Sequence, residues 1–224
     1  MYPVSIAIDG PAGAGKSTVA RMVAKRLNFL YVDTGAMYRT VAYLCIAHSV
    51  DATNSQAIIQ MLNQHDVTFQ MSDDGFKALV DDVDVSVQLR DPKVSAHVST
   101  VAAHHEVRSR LTTWQRTFAK TQSVVMDGRD IGTVVLPDAT IKIFLTADVE
   151  ERARRRQREF CKNGHDVPLE EIIQAVAERD ARDSSREIAP LKAAGDAIQI
   201  DSTGKSAERV VDEILSLVED AHVG

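Results

Sequence analysis

Gly10-Pro11-Ala12-Gly13-Ala14-Gly15-Lys16-Ser17-Thr18 is a complete GxxxxGK[ST] phosphate-binding loop, and the apolar run before it, Val4 to Ile8, reads as a buried strand. Gly10, Gly13 and Gly15 let the backbone curl around an anion with its N–H groups turned inward, and the helix that starts near Lys16 aims its positive end at the same oxygens. Lys16 is expected to reach the β- and γ-phosphates and Ser17 to hold a magnesium ion. Val19, Val23 and Leu27 recur at four-residue spacing, as one face of that helix requires. The loop implies a nucleoside triphosphate but not its fate, because switches, motors, transporters and small-molecule kinases all carry it.

Working outward, further strand-like runs appear at Phe29 to Val32, Val124 to Met126, Ile141 to Leu145 and Ile198 to Ile200, with helical patterns between most of them. This alternation predicts an α/β fold with a parallel sheet covered by helices on both faces. Asp148 with Glu151 resembles a capping box, Pro168 suits a first helical turn, and Val211, Ile214, Leu215 and Val218 mark a last helix. The 224 residues, 44% hydrophobic and 26% charged, suffice for an ordinary soluble core. No apolar run approaches the roughly 20 residues that cross a bilayer, and Asp9 interrupts the N-terminal run too early for a signal peptide, so a cytoplasmic location without membrane association is expected. Cys45 and Cys161 lack metal or disulfide spacing and read as buried or incidental thiols. A net charge of −6 gives no global attraction to nucleic acid, and no nucleic-acid partner is expected.

One stretch breaks the alternation. Val67 to Met71, Phe76 to Val80 and Val83 to Val85 are β-like, joined first by Ser72-Asp73-Asp74-Gly75, a hairpin signal, and helical patterns then run from about Pro92 to Lys120. This predicts an inserted antiparallel subdomain, which either shapes a second substrate's pocket or merely decorates the core.

Four further segments carry chemistry. Asp33-Thr34-Gly35-Ala36-Met37-Tyr38-Arg39 turns a strand end into a helix at the edge where ligands sit, although Asp33 or Thr34 could be only a cap. Arg39 there suits a phosphate fork. Val124-Val125-Met126-Asp127-Gly128-Arg129-Asp130 sets a carboxylate at a strand end, where magnesium is held directly or through water. Arg152, Arg154, Arg155, Arg156 and Arg158 form a solvated face, a nucleic-acid patch, or a lid whose arginines meet the transferred phosphoryl group, with Asn163-Gly164-His165 as its bend. Arg179, Arg182 and Arg186, or Arg179, Asp183 and Arg186, share a helical face, as a salt-bridge ladder or as grips for a sugar and a phosphate.

Together the loop, Asp33 to Arg39, the run Asp127-Gly128-Arg129-Asp130-Ile131-Gly132-Thr133-Val134-Val135 and the tail Arg179 to Leu191 resemble the bacterial cytidylate kinase family over nearly the whole chain. Thr34 stands where members commonly carry serine. The resemblance implies one P-loop kinase domain: a core of about 1–62, 121–150 and 187–224, an acceptor-binding insertion of about 63–120 and a helical lid of about 151–186. It implies transfer of the γ-phosphoryl of ATP to CMP or dCMP, with Mg2+, by a monomer. Gly10 to Thr18 would bind ATP. Thr34, Ser99, Arg108, Asp130 and Arg186 would line the cytosine pocket, Arg179 and Asp183 would hold the ribose, and Tyr38, Arg39 and Arg129 the acceptor phosphate. Lys16, Arg129, Arg155 and Arg186 form the implied catalytic set, with Ser17 at the metal and Asp127 on it through water. A UMP or AMP kinase is the nearest rival. A regulatory GTPase would need an Asn-Lys-x-Asp motif that the chain lacks, and an RNA-binding module would leave the loop unexplained.

Overall fold

A computed structural model describes residues 3–72, 75–162, 164 and 166–223. Five strands, β1 (Ser5–Asp9), β2 (Leu30–Asp33), β6 (Val124–Gly128), β7 (Ile141–Thr146) and β8 (Ile198–Asp201), pair in parallel in the order β2-β6-β1-β7-β8. The strands are apolar on both sides because both faces are covered. Ile6, Ile8, Val125, Ile143 and Leu145 point to one face, toward α1 (Lys16–Leu27) and α8 (Ala207–Val223). Ala7, Val32, Val124 and Met126 point to the other, toward α2 (Thr34–Ala47), α3 (Ser55–Gln64), α4 (Pro92–Val101) and α5 (His105–Thr121). This period of two along each strand fixes which helices cover which face. Val19 and Val23 are buried as their spacing requires.

The insertion is a three-stranded antiparallel sheet, β3 (Val67–Ser72), β4 (Gly75–Val80) and β5 (Val83–Asp84), followed by α4 and α5. β3 and β4 pair from Val67↔Val80 to Ser72↔Gly75; the turn residues Asp73 and Asp74 lie outside the described residues. Phe69 stacks on Phe76 at 5.6 Å between centroids and meets Trp114 of α5 edge-on at 5.7 Å, which seats the sheet on that helix. Ala78, Val80, Val94 and Val98 belong to the same apolar cluster as Val32 and Met126, so the insertion shares the core of the main sheet. The helical pattern from Pro92 to Lys120 is two helices, broken at Ala102–His104. Asp91 caps the first by accepting from the Lys93 N–H at 2.7 Å, with Pro92 at its first position.

α6 (Val149–Lys162) and α7 (Leu169–Ser184) pack on each other around a small apolar cluster of their own, Ala153, Ile172 and Val176. Pro168 sits at the cap position of α7, one residue ahead of the first turn expected for it. Asn163 and His165 of the expected bend lie outside the described residues, while Gly164 has φ +80°. Cys45 is buried, its thiol pushed up to about 11 by that burial, and Cys161 is exposed. Among the described residues no helix is long and apolar enough to cross a membrane.

Candidate active site

The phosphate loop bridges β1 and α1 at the carboxyl edge of the sheet, where an open α/β fold places its ligands. Gly10 has φ +148°, and a Cβ there would lie 2.0 Å from the Leu145 carbonyl oxygen, so the loop's close seat on β7 needs glycine. Lys16 is buried and donates from Nζ to the Pro11 carbonyl at 2.6 Å. Burial, and then the Arg129 guanidinium, hold its ammonium well below the usual lysine range. Ser17 Oγ donates to Asp127 Oδ2 at 2.7 Å, and the Tyr31 hydroxyl donates to Asp127 Oδ1 at 2.9 Å. Burial and the neighbouring Asp33 push the Asp127 carboxyl up to about 6, against the pull of Lys16 and these two hydrogen bonds.

Beneath the loop, Asp9 accepts from the Ile131 and Gly132 N–H groups at 2.8 and 2.7 Å. It ties the end of β1 to the turn that carries Arg129 and Asp130, and its burial pushes it up to about 6. No local sequence signal marks Asp9 for this part, because its partners are backbone groups 122 and 123 positions away.

The facing wall is built from α2, α4, α5, the turn after β6 and α7. Asp33 is indeed the cap of α2, accepting from the Ala36 N–H at 2.7 Å, and it also pairs with Arg39 at 3.0 Å. The Thr34 hydroxyl donates a hydrogen bond to the Asp127 carbonyl at 2.6 Å. Arg108 and Asp130, both buried, form an ion pair, and the Arg108 guanidinium stands 5.6 Å from the Tyr38 ring centroid. Burial pushes the Tyr38 phenol up to about 12, tempered by Arg108. Asp183 gathers the rest: it accepts from Arg129 Nε at 3.0 Å, from Arg186 and from Ser99 Oγ at 3.3 Å, with Arg179 Nε 4.0 Å away. Burial alone would raise its carboxyl, but Arg129, Arg186 and Arg179 together hold it below the usual range. The Nε of Arg179 is buried without a hydrogen-bond partner, and burial with the Arg129 charge lowers its guanidinium to about 9. Arg186 lies just past the end of α7, so it reaches Asp183 from the following turn rather than from the helical face expected for it.

The loop from Ala12 to Thr18, together with Thr34, Tyr38, Arg39, Arg108, Asp127, Arg129, Asp130, Arg155, Arg179, Asp183 and Arg186, lines one cleft of about 580 Å³. Gly10, Pro11 and Ser99 stand behind this lining: Gly10 against β7, Pro11 under Lys16 and Ser99 on Asp183. The arginine cluster divides. Arg154 is exposed beside Glu150, and Arg158 is exposed but borders the cleft. Arg156 also borders it, lying over the Phe160 ring at 5.1 Å. Arg155 is anchored, donating to the Ala14 carbonyl at 3.1 Å, to Ser202 Oγ at 2.9 Å and to the Ser202 carbonyl at 2.8 Å. Arg152 is buried and is not part of a solvated face. Ser202, Lys205 and Ser206 also border the donor end. The polar turn Asp201 to Lys205 directly after a parallel strand was the signal that could have found them.

A phosphate loop with its lysine and a hydroxyl–carboxylate pair on one wall, opposite a wall of carboxylate-anchored arginines, defines a P-loop kinase. The same fold recurs in a solved structure of an uncharacterized protein from Eubacterium ventriosum ATCC 27560, which superposes with a TM-score of 0.55 at 15% identity, covering 96% of this chain and 98% of that one. The chain belongs to the cytidylate kinase family, whose model matches residues 6–220. Among its relatives, the cytidylate kinase of Bacillus cereus (strain B4264) is 48% identical over 215 residues and that of Bacillus subtilis (strain 168) 47% over 216, each match covering 96% of both chains.

Proposed function

We propose that this protein transfers the γ-phosphoryl group of ATP to CMP or dCMP, giving ADP and the corresponding diphosphate. The observation that carries the reading is that both walls line a single cleft: Lys16 of the donor loop shares it with Arg39, Arg129 and Arg179 of the acceptor wall. Such a crowd of cations in one cleft suits two phosphate groups that must be brought together.

Gly10 to Thr18 receive the triphosphate, with Lys16 on its terminal phosphates. Tyr38, Arg39 and Arg129 hold the acceptor phosphate. One of its oxygens, already ionised, attacks the γ-phosphorus as the bond to the β-phosphate oxygen breaks, so no general base is required. Asp130, steadied by Arg108, accepts from the exocyclic amino group of cytosine and repels the carbonyl of uracil. Thr34, Ser99 and Arg186 complete the base pocket, and Arg179 with Asp183 holds the ribose. Residues 63–120 thus serve the acceptor, and residues 151–186 form the lid, whose Arg155 steadies the loop and whose outer arginines approach the phosphoryl group.

The donor set suits Mg2+: a hydroxyl and a carboxylate oxygen converge at Ser17 and Asp127. Among the described residues no group of three or more His, Cys, Asp or Glu could hold a metal, so these two side chains would supply only part of the ion's ligands. An ion held by Ser17 and Asp127 would offset negative charge on the triphosphate. The small-molecule substrates are the only partners this chemistry requires.

The test is ADP release with ATP and Mg2+ against CMP, dCMP, UMP, AMP, shikimate and no acceptor. Activity confined to CMP and dCMP supports the reading. Equal turnover of UMP or AMP would replace the assigned base pocket, and ADP release without acceptor would make the protein a hydrolase.

A further inference from the structure

Two charged residues of the α6–α7 pair have no part in the chemistry above, yet they pair with each other and both bind the backbone of the phosphate loop. Arg152 of α6 is 5% exposed. A buried guanidinium is tolerated only when it is paired and its N–H groups are matched. Arg152 meets that demand with Nε on the Ala147 carbonyl at 2.9 Å, Nη1 on the Ala12 carbonyl at 2.9 Å and an ion pair to Asp180 of α7. The other carboxylate oxygen of Asp180 accepts from the Ala12 N–H at 3.1 Å. Both backbone polar groups of Ala12 are therefore held by one ion pair whose partners come from two helices, 140 and 168 positions along the chain.

Ala12 sits between the two points that set the loop's shape. Before it, Pro11 offers the carbonyl on which Lys16 Nζ rests. After it, Gly13 presses on α6: a Cβ there would lie 2.8 Å from the Arg152 carbonyl oxygen. Neither Arg152 nor Asp180 lines the cleft, so neither is placed to touch a substrate. Asp180 lies one helical turn before Asp183 on α7, so one helix grips the donor loop with the first carboxylate and the acceptor arginines with the second.

We propose that Arg152 and Asp180 are positioning residues for the phosphate loop, fixing Ala12 so that the loop amides and Lys16 are preset for the triphosphate and the loop is tied to the α6–α7 pair. The inference rests on the reading of the loop as the ATP site, and goes beyond it in assigning the loop's geometry to these helices.

The experiment measures, for wild type, Asp180→Asn, Arg152→Lys and the double variant Arg152→Gln/Asp180→Asn, the Kd of a fluorescent ATP analogue with Mg2+, the Kd of CMP alone and the thermal midpoint. Asparagine keeps the shape of the side chain but surrenders one acceptor position. Lysine keeps the charge but cannot fork onto three oxygens. Each single variant is expected to weaken the ATP analogue about tenfold, as the loss of one charge-assisted hydrogen bond implies, while CMP binding stays as in wild type. The double variant leaves no unpaired buried charge and makes the same comparison if a single variant does not fold. Unchanged ATP affinity in the folded variants overturns the proposal, as does a parallel loss of ATP and CMP affinity that tracks the fall in thermal midpoint. Phosphorylation of CMP by the wild type is measured alongside. Its absence would remove the assigned acceptor while leaving the ATP comparison to decide the role of the pair.

Discussion

Replacing Asp183 by alanine tests the acceptor wall at its centre. The carboxylate is 1% exposed and joins Arg129, Arg186 and Ser99, with Arg179 beside it. Removing one partner of a buried ion pair costs about 3–5 kcal/mol, because the remaining charges keep their desolvation penalty without compensation. Here the lower end applies, since Arg129 and Arg179 are partly exposed and water can enter beside them. At about 3 kcal/mol, with 2–4 °C per kcal/mol for a chain of this size, the thermal midpoint should fall by roughly 6–12 °C. In the folded remainder Arg129 and Arg186 lose the group that orients them, and kcat/KM for CMP should fall about a hundredfold, or ~2.7 kcal/mol. The Kd for ATP should stay near wild type, because the donor loop makes no contact with Asp183. The pH dependence has a definite sign. Asp183 is held below the ordinary carboxylate range in the folded protein, so the stability it contributes is present above about pH 4, and it disappears as pH falls through its folded pKa. Thermal melts of wild type and variant from pH 7 to pH 3 should converge at the acid end. The reasoning is refuted if ATP and CMP affinity fall equally, or if CMP binds more tightly to the variant. The latter would mean that the carboxylate only neutralises the arginines and does not orient them.

Two other substitutions address the base and the loop. Asp130→Asn should erode the preference for CMP over UMP, since an amide can turn a donor toward the uracil carbonyl; competition kinetics with the two acceptors would expose an unchanged ratio and with it a wrong assignment. Gly10→Ala should destabilise the fold by several kcal/mol and leave little soluble protein, because the new Cβ meets backbone of β7 at 2.0 Å and no side chain can move aside; a normal thermal midpoint would contradict the packing described for the loop.

What the sequence determined by itself is local. The glycines and Lys16-Ser17 define the loop through nearest-neighbour geometry, and the apolar runs mark the strands because a parallel sheet buries both of its faces. The motifs at Thr34 to Arg39, Asp127 to Asp130 and Arg179 to Arg186 were readable because each is a short contiguous stretch, and the cleft brings them together. Their neighbours were harder to read. Five arginines between positions 152 and 158 look alike in the sequence, and only packing separates buried Arg152 on the loop backbone and anchored Arg155 from exposed Arg154. Asp9 gave no signal, because it binds backbone N–H groups, which every sequence contains, and Asp180 gave none, because its partners are one such group and an arginine 28 positions away. Short-range pattern records which side chains are present and what each segment prefers. Which carboxylate meets which amide across more than a hundred positions is decided by the order of the strands and the seating of α6 and α7, and those exist only once the chain has folded.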